Sequence, residues 1–347
     1  MERVYLDWNA SAPLRPQARA AMLAAMDVTG NPSSPHAQGR EARALLEKAR
    51  AQVARAFGAE GAEIVFVSGA TEAAGLACAG LELCGAQVEH EAVRAWLRAD
   101  LPVDDQGLVR VAEPSGCVLQ LANSETGVVQ DLPQGLALVD ATQGFGKLPV
   151  AFNWMGCRCA MISAHKIGGP KGVGALVLQR GCDLVAQIRG GGQEMGRRAG
   201  TENLIGIAGF GAAAEAALCD LEGGVWERVE KLRNILELAI EDAAKETIFV
   251  GKAAKRLPNT SCFVLPGWKG ETQVMQMDLA GFAVSAGSAC SSGKVRASQV
   301  LRAMGYDDEQ AGSAIRVSLG PLTQEEEVLR FAEAWIGTYQ RRRGRGV

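Results

Sequence analysis

The sequence predicts an α/β protein with a large sheet domain and a smaller α+β domain after it. Three observations predict this. Short apolar runs at 64–67, 118–121 and 160–162 each end in a polar turn, as sheet strands do when they carry a site at one end. Stretches of helical period lie between those runs. Past about residue 246 the chain changes character, and short strands mix with short helices. A chain of 347 residues has room for both domains.

Taken in order, residues 4–7 read as a strand ending in the turn Trp8-Asn9-Ala10-Ser11-Ala12-Pro13. A helix over 16–26 and a long amphipathic one over 37–57 flank Gly30-Asn31-Pro32-Ser33-Ser34-Pro35, a run dense in turn formers. The strand 64–67 runs into Ser68-Gly69-Ala70-Thr71-Glu72 and a small-residue helix over 73–83. A helix over 91–98 follows Glu89-His90. Strand 118–121 closes on Asn123-Ser124-Glu125-Thr126-Gly127, and 137–139 leads to Asp140-Ala141-Thr142-Gln143. Strand 160–162, a glycine-rich turn and strand 172–178 come next. The segment 190–203, rich in glycine and arginine, opens a helical region over 204–245 that breaks near Gly223-Gly224. Beyond it lie strands around 248–250, 260–265, 283–285 and 314–319, and helices near 272–279, 298–304 and 324–339.

The turn Ser163-Ala164-His165-Lys166-Ile167-Gly168-Gly169-Pro170-Lys171-Gly172 organises the chemistry. Lys166 stands where a buried strand breaks into a loop whose glycines let backbone approach a ligand. A lysine held there loses its charge by desolvation and attacks a carbonyl to form a Schiff base; a solvated loop lysine fits the same local pattern. Strand, glycine turn and helix start at Ser68-Gly69-Ala70-Thr71 suit an anion, since free N–H groups and the helix dipole favour one. The same residues also make a plain N-cap with a capping box. Asp140 at a strand end is either a ligand contact at the carboxyl edge of a parallel sheet or a helix cap. Cys290, flanked by Ser, Gly and Ala in a stretch expected to be exposed, is a candidate nucleophile. Arg316, amid alternating apolar residues, calls for a carboxylate from the protein or from a substrate. Jointly, a Schiff-base lysine, an anion site and an acid for a ring nitrogen suit pyridoxal phosphate chemistry.

Composition narrows the classes. Hydrophobic residues make up 48% and charged residues 22%, with a net charge of −3, so neither nucleic acid nor a membrane surface is an expected partner. No apolar stretch reads as long enough to cross a bilayer, and no signal peptide is evident. Nine cysteines without a Cys-x-x-Cys pair lead us to expect a cytoplasmic protein with reduced thiols. Cys157 and Cys159 read as core residues, and no metal site is expected.

These motifs resemble, in order along nearly the whole chain, those of the cysteine desulfurases of the class V aminotransferase superfamily. The resemblance rests on Tyr5-Leu6-Asp7, Asn31-Pro32-Ser33-Ser34, Ser68-Gly69-Ala70-Thr71-Glu72, Glu89-His90 and Glu125-Thr126-Gly127-Val128-Val129-Gln130. It continues through Val139-Asp140-Ala141-Thr142-Gln143, Ser163-Ala164-His165-Lys166, Arg198-Ala199-Gly200-Thr201, Gly287-Ser288-Ala289-Cys290 and Ile315-Arg316-Val317-Ser318-Leu319-Gly320. It implies fold type I of the pyridoxal-phosphate transferases, with a mixed seven-stranded sheet in a large domain 12–245. The small domain would comprise 1–11 and 246–347 and carry the Cys290 loop, whose length is that of the housekeeping and nitrogen-fixation branch.

The resemblance also implies roles. Lys166 would hold the cofactor and move the substrate α-proton, and His90 would stack on the ring and assist proton transfer. Asp140 would pair with the ring nitrogen and Gln143 with the phenolic oxygen. Ala70, Thr71, Ser163 and His165 would hold the phosphate, which Thr201 would reach in a neighbouring subunit, implying a homodimer. Arg316 would clamp the substrate carboxylate with help from Asn31. Cys290 would take the sulfur of L-cysteine as a persulfide, leaving L-alanine, and pass it to an acceptor, with iron–sulfur scaffolds the leading candidate. Ser124 stands where the family has an asparagine touching cofactor or substrate, Met195 where an arginine is common, and Ala12 where a threonine is common. The stretches between His90 and Asn123 and between Gln130 and Asp140 are shorter than the family's. Rival readings are a selenocysteine lyase or another class V enzyme, and an inactive sulfur-transfer scaffold.

Overall fold

A computed structural model describes residues 3–287 and 297–344; Cys290 and its neighbours lie outside the described residues. The chain opens with β1 (Val4–Tyr5), α1 (Pro16–Met26) and α2 (Ala37–Ala56). Next come β2 (Glu63–Val67), α3 (Ala70–Cys78), β3 (Leu83–Ala86), α4 (Glu91–Arg94), β4 (Leu97–Leu101) and β5 (Val118–Gln120). They lead to β6 (Leu138–Asp140), α5 (Phe152–Met155), β7 (Cys159–Ser163), β8 (Gly174–Leu178), α6 (Leu204–Glu222) and α7 (Val225–Ala243). The remainder holds β9 (Ile248–Phe249), β10 (Thr260–Val264), α8 (Gly270–Leu279), β11 (Phe282–Ala283) and β12 (Ser285–Ala286). It ends with α9 (Gln299–Ala303), α10 (Asp308–Gly312), β13 (Ala314–Ser318) and α11 (Glu325–Gly344).

Two helices are shorter than the sequence predicts. The one over 73–83 stops at Cys78, because Gly80 takes a left-handed φ of 77°, and Leu83–Ala86 becomes a strand. The one over 91–98 stops at Arg94; Leu97, Ala99 and Leu101 alternate with exposed Arg98 and Asp100, which is a strand period.

The central sheet has the order β2-β8-β7-β6-β5. Strands β5, β6 and β7 run parallel, while β8 is antiparallel to both β7 and β2. The parallel pair β3-β4 joins β5 through a bridge between Cys84 and Cys117, which brings the mixed sheet to the seven strands implied. At that junction Cys84 and Cys117 form a disulfide. Reduced thiols throughout is therefore corrected here: neighbouring parallel strands set these two cysteines side by side.

Strands β7 and β8 are buried at every position, as expected of a sheet covered on both faces. Ile64 and Phe66 of β2 enter one apolar core and Val65 and Val67 the other. Helices α1, α2 and α6 pack together on the first face, and α3 covers the second. By length and composition α6 is apolar enough to cross a membrane, contrary to the sequence-based expectation; here Ile207, Phe210 and Ala214 are core residues. A further core forms between a four-stranded sheet, β12-β13-β10-β9, and helices α7, α8 and α11. Trp268 and Trp335 pack at a tilt of 31° within it, and Val4 and Leu6 join it because β1 pairs with β11. This core thus draws on α7, ahead of residue 246, as well as on the N-terminal strand.

Candidate active site

A cavity of about 880 Å³ opens at the carboxyl ends of β5, β6 and β7, where Gln120, Asp140 and Ser163 close their strands. One 3₁₀ turn, Ala164–Lys166, places His165 and Lys166 in its wall. The Lys166 Nζ donates to the main-chain carbonyls of Asn9 (2.7 Å) and Ala10 (2.9 Å). Both belong to the N-terminal turn, which is laced to the lysine turn again where Ala12 N donates to the His165 carbonyl at 2.8 Å. His165 Nδ1 lies 3.3 Å from Ser11 Oγ. Burial, and then the charges of Lys166, Lys171 and Lys147, push the His165 imidazole down to about 4, so it is neutral near pH 7.

Ala70 and Thr71 stand in the wall at the first turn of α3, whose N–H groups have no acceptor within the helix. No side chain caps this helix, so the capping-box alternative does not form. Glu72 instead turns back to accept from Ser68 N at 2.8 Å and from Arg198 Nε at 2.9 Å. Burial works against its charge, but those hydrogen bonds outweigh it and hold the carboxyl below the usual range. A Cβ built on Gly69 meets nothing within 4 Å and would stand in open space. One on Gly174 would lie 2.8 Å from Gly69 Cα and 2.7 Å from Ile162 O, so β8 reaches this loop backbone to backbone. Behind it, Glu194 is at φ 46°, held there by two bonds from Arg50 (2.9 and 3.0 Å) and one from Phe66 N (2.9 Å).

Asp140 is 7% exposed and accepts from Thr142 N at 2.9 Å. Beside it, Glu89 accepts from Gln120 N through one oxygen (3.2 Å), while its buried Oε2 has no partner among the described residues. Burial, and then the charge of Asp140, raise the Glu89 carboxyl well above the usual range. His90 caps α4, and its Nδ1 accepts from Ala92 N at 3.1 Å, which leaves the proton of a neutral ring on Nε2. Gln143 Nε2 donates to the Asn9 carbonyl at 2.9 Å.

Arg316 comes from β13. Its guanidinium donates to Asp7 Oδ1 (2.7 Å) and to the Ser124 carbonyl (2.9 Å), and its buried Nε has no partner among the described residues. The carboxylate that the sequence calls for is thus Asp7 in this structure. Ser124 contributes its backbone carbonyl, a contact that needs no asparagine side chain.

Ala70, Thr71, His90, Ser124, Asp140 and Gln143 therefore meet Ser163, His165, Lys166 and Arg316 around one cavity. Asn31 and Thr201 do not: both are exposed, and the Asn31 side chain accepts from Ser33 N in its own turn. Three further groups, to which the sequence reading gave no role, complete the site. Asn9 is buried and bonded to both Gln143 and Lys166, Glu89 lies beside Asp140, and Lys147 is buried behind Gln143. Glu89 stood in the Glu89-His90 motif, and Lys147 carried a signal as a lone cation inside the run Phe145-Gly146-Lys147-Leu148.

These residues fit pyridoxal phosphate. Free helix N–H groups stand where a phosphate would sit, an amine and an acid flank the cavity, and Gln120 Nε2 and Thr142 Oγ1 are buried without partners among the described residues, as groups awaiting a ligand would be.

A family model described as aminotransferase class-V matches residues 4–331. A cysteine desulfurase from Cereibacter sphaeroides is 40% identical over 371 residues, covering 96% of this chain and 95% of its own. Cysteine desulfurase IscS from Dictyoglomus turgidum is 35% identical over 361 residues, 94% of this chain and 91% of its own. The solved NifS-like protein from Rickettsia africae matches with a TM-score of 0.89 at 30% identity, covering 98% of this chain and 100% of its own. The chain belongs to the class-V aminotransferases and, within them, to the pyridoxal-phosphate-dependent cysteine desulfurases.

Proposed function

We propose that this chain converts L-cysteine to L-alanine and leaves the sulfur as a persulfide on Cys290, for delivery to an acceptor protein. One observation carries the reading: Lys166, Asp140, His90 and Arg316, from four separate stretches of chain, face one cavity beside partnerless buried polar atoms. Lys166, Ala70, Thr71, Ser163 and His165 would hold the cofactor, with Asp140 and Gln143 facing its ring. Bound there, pyridoxal phosphate supplies an electron sink for bonds at the substrate's Cα and Cβ.

The chain's own groups do the rest. Arg316 is held in the wall by Asp7 with its Nε still to be satisfied, so a substrate carboxylate finds a charged donor already aimed. The Lys166 amine, once substrate has displaced it from the cofactor, is the base for the α-proton; in the cofactor-free chain the same nitrogen donates to the Asn9 and Ala10 carbonyls. His90 lines the cavity with its Nδ1 fixed by the start of α4. The Cys290 thiolate attacks the substrate sulfur; the C–S bond breaks as the S–S bond forms, and Cβ gains a proton as alanine. A homodimer served by Thr201, an iron–sulfur scaffold as acceptor and a cytoplasmic setting complete the reading. The motif around Cys290 supports the acceptor, and the six free thiols among the described residues support the compartment.

The test is an absorbance spectrum of the purified protein before and after L-cysteine, with alanine assayed in the same tube. The reading expects a yellow protein whose band shifts as alanine appears. Lys166→Ala removes the colour, and Cys290→Ser keeps it but forms no persulfide. A Cys290→Ser variant that still desulfurates cysteine rejects the persulfide route, and a colourless protein that takes up no cofactor rejects the enzyme reading.

A further inference from the structure

Lys147 lies one turn past Gln143 and is buried, with 3% of its surface exposed. Its Nζ donates to Gln143 Oε1 at 2.7 Å and to Asn9 Oδ1 at 3.0 Å. Both acceptors are neutral amide oxygens. Burial, and then the cations Lys166 and Arg316, push its amine well below the usual lysine range. An apolar side chain of the same length would avoid that desolvation, so packing alone does not explain a lysine here.

The amides beside it explain it. A carboxamide has an acceptor end and a donor end, and Lys147 donates whether or not it carries its third proton. It therefore takes the oxygen end of Gln143, and the other end, Nε2, turns to the Asn9 carbonyl. A reversed Gln143 would set Oε1 against the Asn9 main-chain carbonyl, which can only accept, and Nε2 against the Lys147 amine. The Asn9 side chain is fixed in turn: Oδ1 also accepts from Asn259 Nδ2 at 3.0 Å, while Nδ2 donates to Thr260 Oγ1 at 2.8 Å. Gln143 is left with one N–H to offer, and it lines the cavity while Lys147 does not.

We propose that Lys147 is a positioning residue that locks the Gln143 amide with an N–H toward the cavity, so that the site presents a donor to the phenolic oxygen of the bound cofactor. This rests on the role given to Gln143 above. The test uses the full chain reconstituted with pyridoxal phosphate, reading cofactor affinity by titration and the absorbance maximum of the bound cofactor. Lys147→Met, similar in length and without a donor, weakens cofactor binding roughly tenfold and displaces the band. Gln143→Ala does the same, and the double variant is no worse than Gln143→Ala alone, because both changes remove one donor. Should Lys147→Met not fold, Lys147→Gln retains one donor and gives values between wild type and Gln143→Ala. A lysine that only supports the fold would lower the melting temperature and leave both the band and the affinity unchanged, which overturns the proposal. Additive effects in the double variant, or a Gln143→Ala variant like wild type, overturn it as well. A wild-type protein that binds no cofactor rejects the functional reading itself.

Discussion

Replacing Asp7 by alanine strands Arg316. The pair is largely out of water, with side-chain exposures of 7% for Arg316 and 17% for Asp7, and Asp7 Oδ1 also accepts from Ser285 Oγ at 2.9 Å. Removing one partner of a buried pair costs about 3–5 kcal/mol, since the remaining charge stays buried without compensation. The Ser124 carbonyl still holds one guanidinium nitrogen, which argues for the lower end, about 3 kcal/mol. At ~2.1 cal/mol/K per residue, 347 residues give an unfolding entropy of about 0.7 kcal/mol/K, so the melting temperature of the cofactor-free protein falls by about 4 °C. Asp7→Asn keeps an acceptor and loses only the charge, and should fall by about 2 °C. Scanning calorimetry on the three proteins decides. An alanine variant within about 1 °C of wild type, or an asparagine variant as unstable as the alanine one, refutes the reasoning.

Other perturbations follow the same logic. Glu237→Ala removes the carboxylate that Arg256 grips at 2.7 and 2.9 Å, both side chains being 6% exposed. It should cost ~3–5 kcal/mol, seen as a lowered urea midpoint. The lowered pKa of Glu237 adds a pH signature: its stabilisation is present above the ordinary carboxylate range and is lost on acidification, through a window that begins there and extends below it. His165 titrates at about 4 when folded against 6.5 as a free side chain. The unfolded chain therefore binds the extra proton first, and the stability of the cofactor-free protein falls as pH drops from about 6.5 to about 4. His165→Asn should flatten urea midpoints across that window. Gly174→Ala pushes a methyl group against two backbone atoms that cannot yield cheaply. It should cost ~1–3 kcal/mol and weaken cofactor affinity by displacing the loop that leads into α3.

Elements that announce themselves in the sequence do so through local chemistry. The fully buried β7 and β8, the proline at the start of α1, and the glycine turn carrying Lys166 each combine one period with one breaker. Strand β3 does not, because Leu83-Cys84-Gly85-Ala86 carries no strand pattern of its own and is set by pairing with β4 and by the bridge from Cys84 to Cys117. The site divides along the same line. Lys166, Asp140 and His90 stand in motifs, whereas Asn9 works through a backbone carbonyl and through partners at Asn259 and Thr260, some 250 residues away. No local pattern encodes that. Asp7 and Arg316 each stood in a motif, but their pairing was not legible, since β13 meets the N-terminal segment only through the fold.

The pairing of β1 with β11 has a consequence for how the protein is made. Val4 is synthesised about 280 residues ahead of its partner Phe282. Closing a loop of about 280 residues costs about 5 kcal/mol of chain entropy, so this contact forms late. By residue 178 every strand of the central sheet has been synthesised, with Lys166 among them. The turn that docks the lysine amine is not yet pinned, because Asn9 waits for Thr260 and for the hydroxyl of Ser318. A nascent or prematurely terminated chain can therefore build the sheet while still lacking a finished pocket. Cofactor uptake thus has to wait for the segments that carry Thr260 and Ser318, long after Lys166 itself has been made.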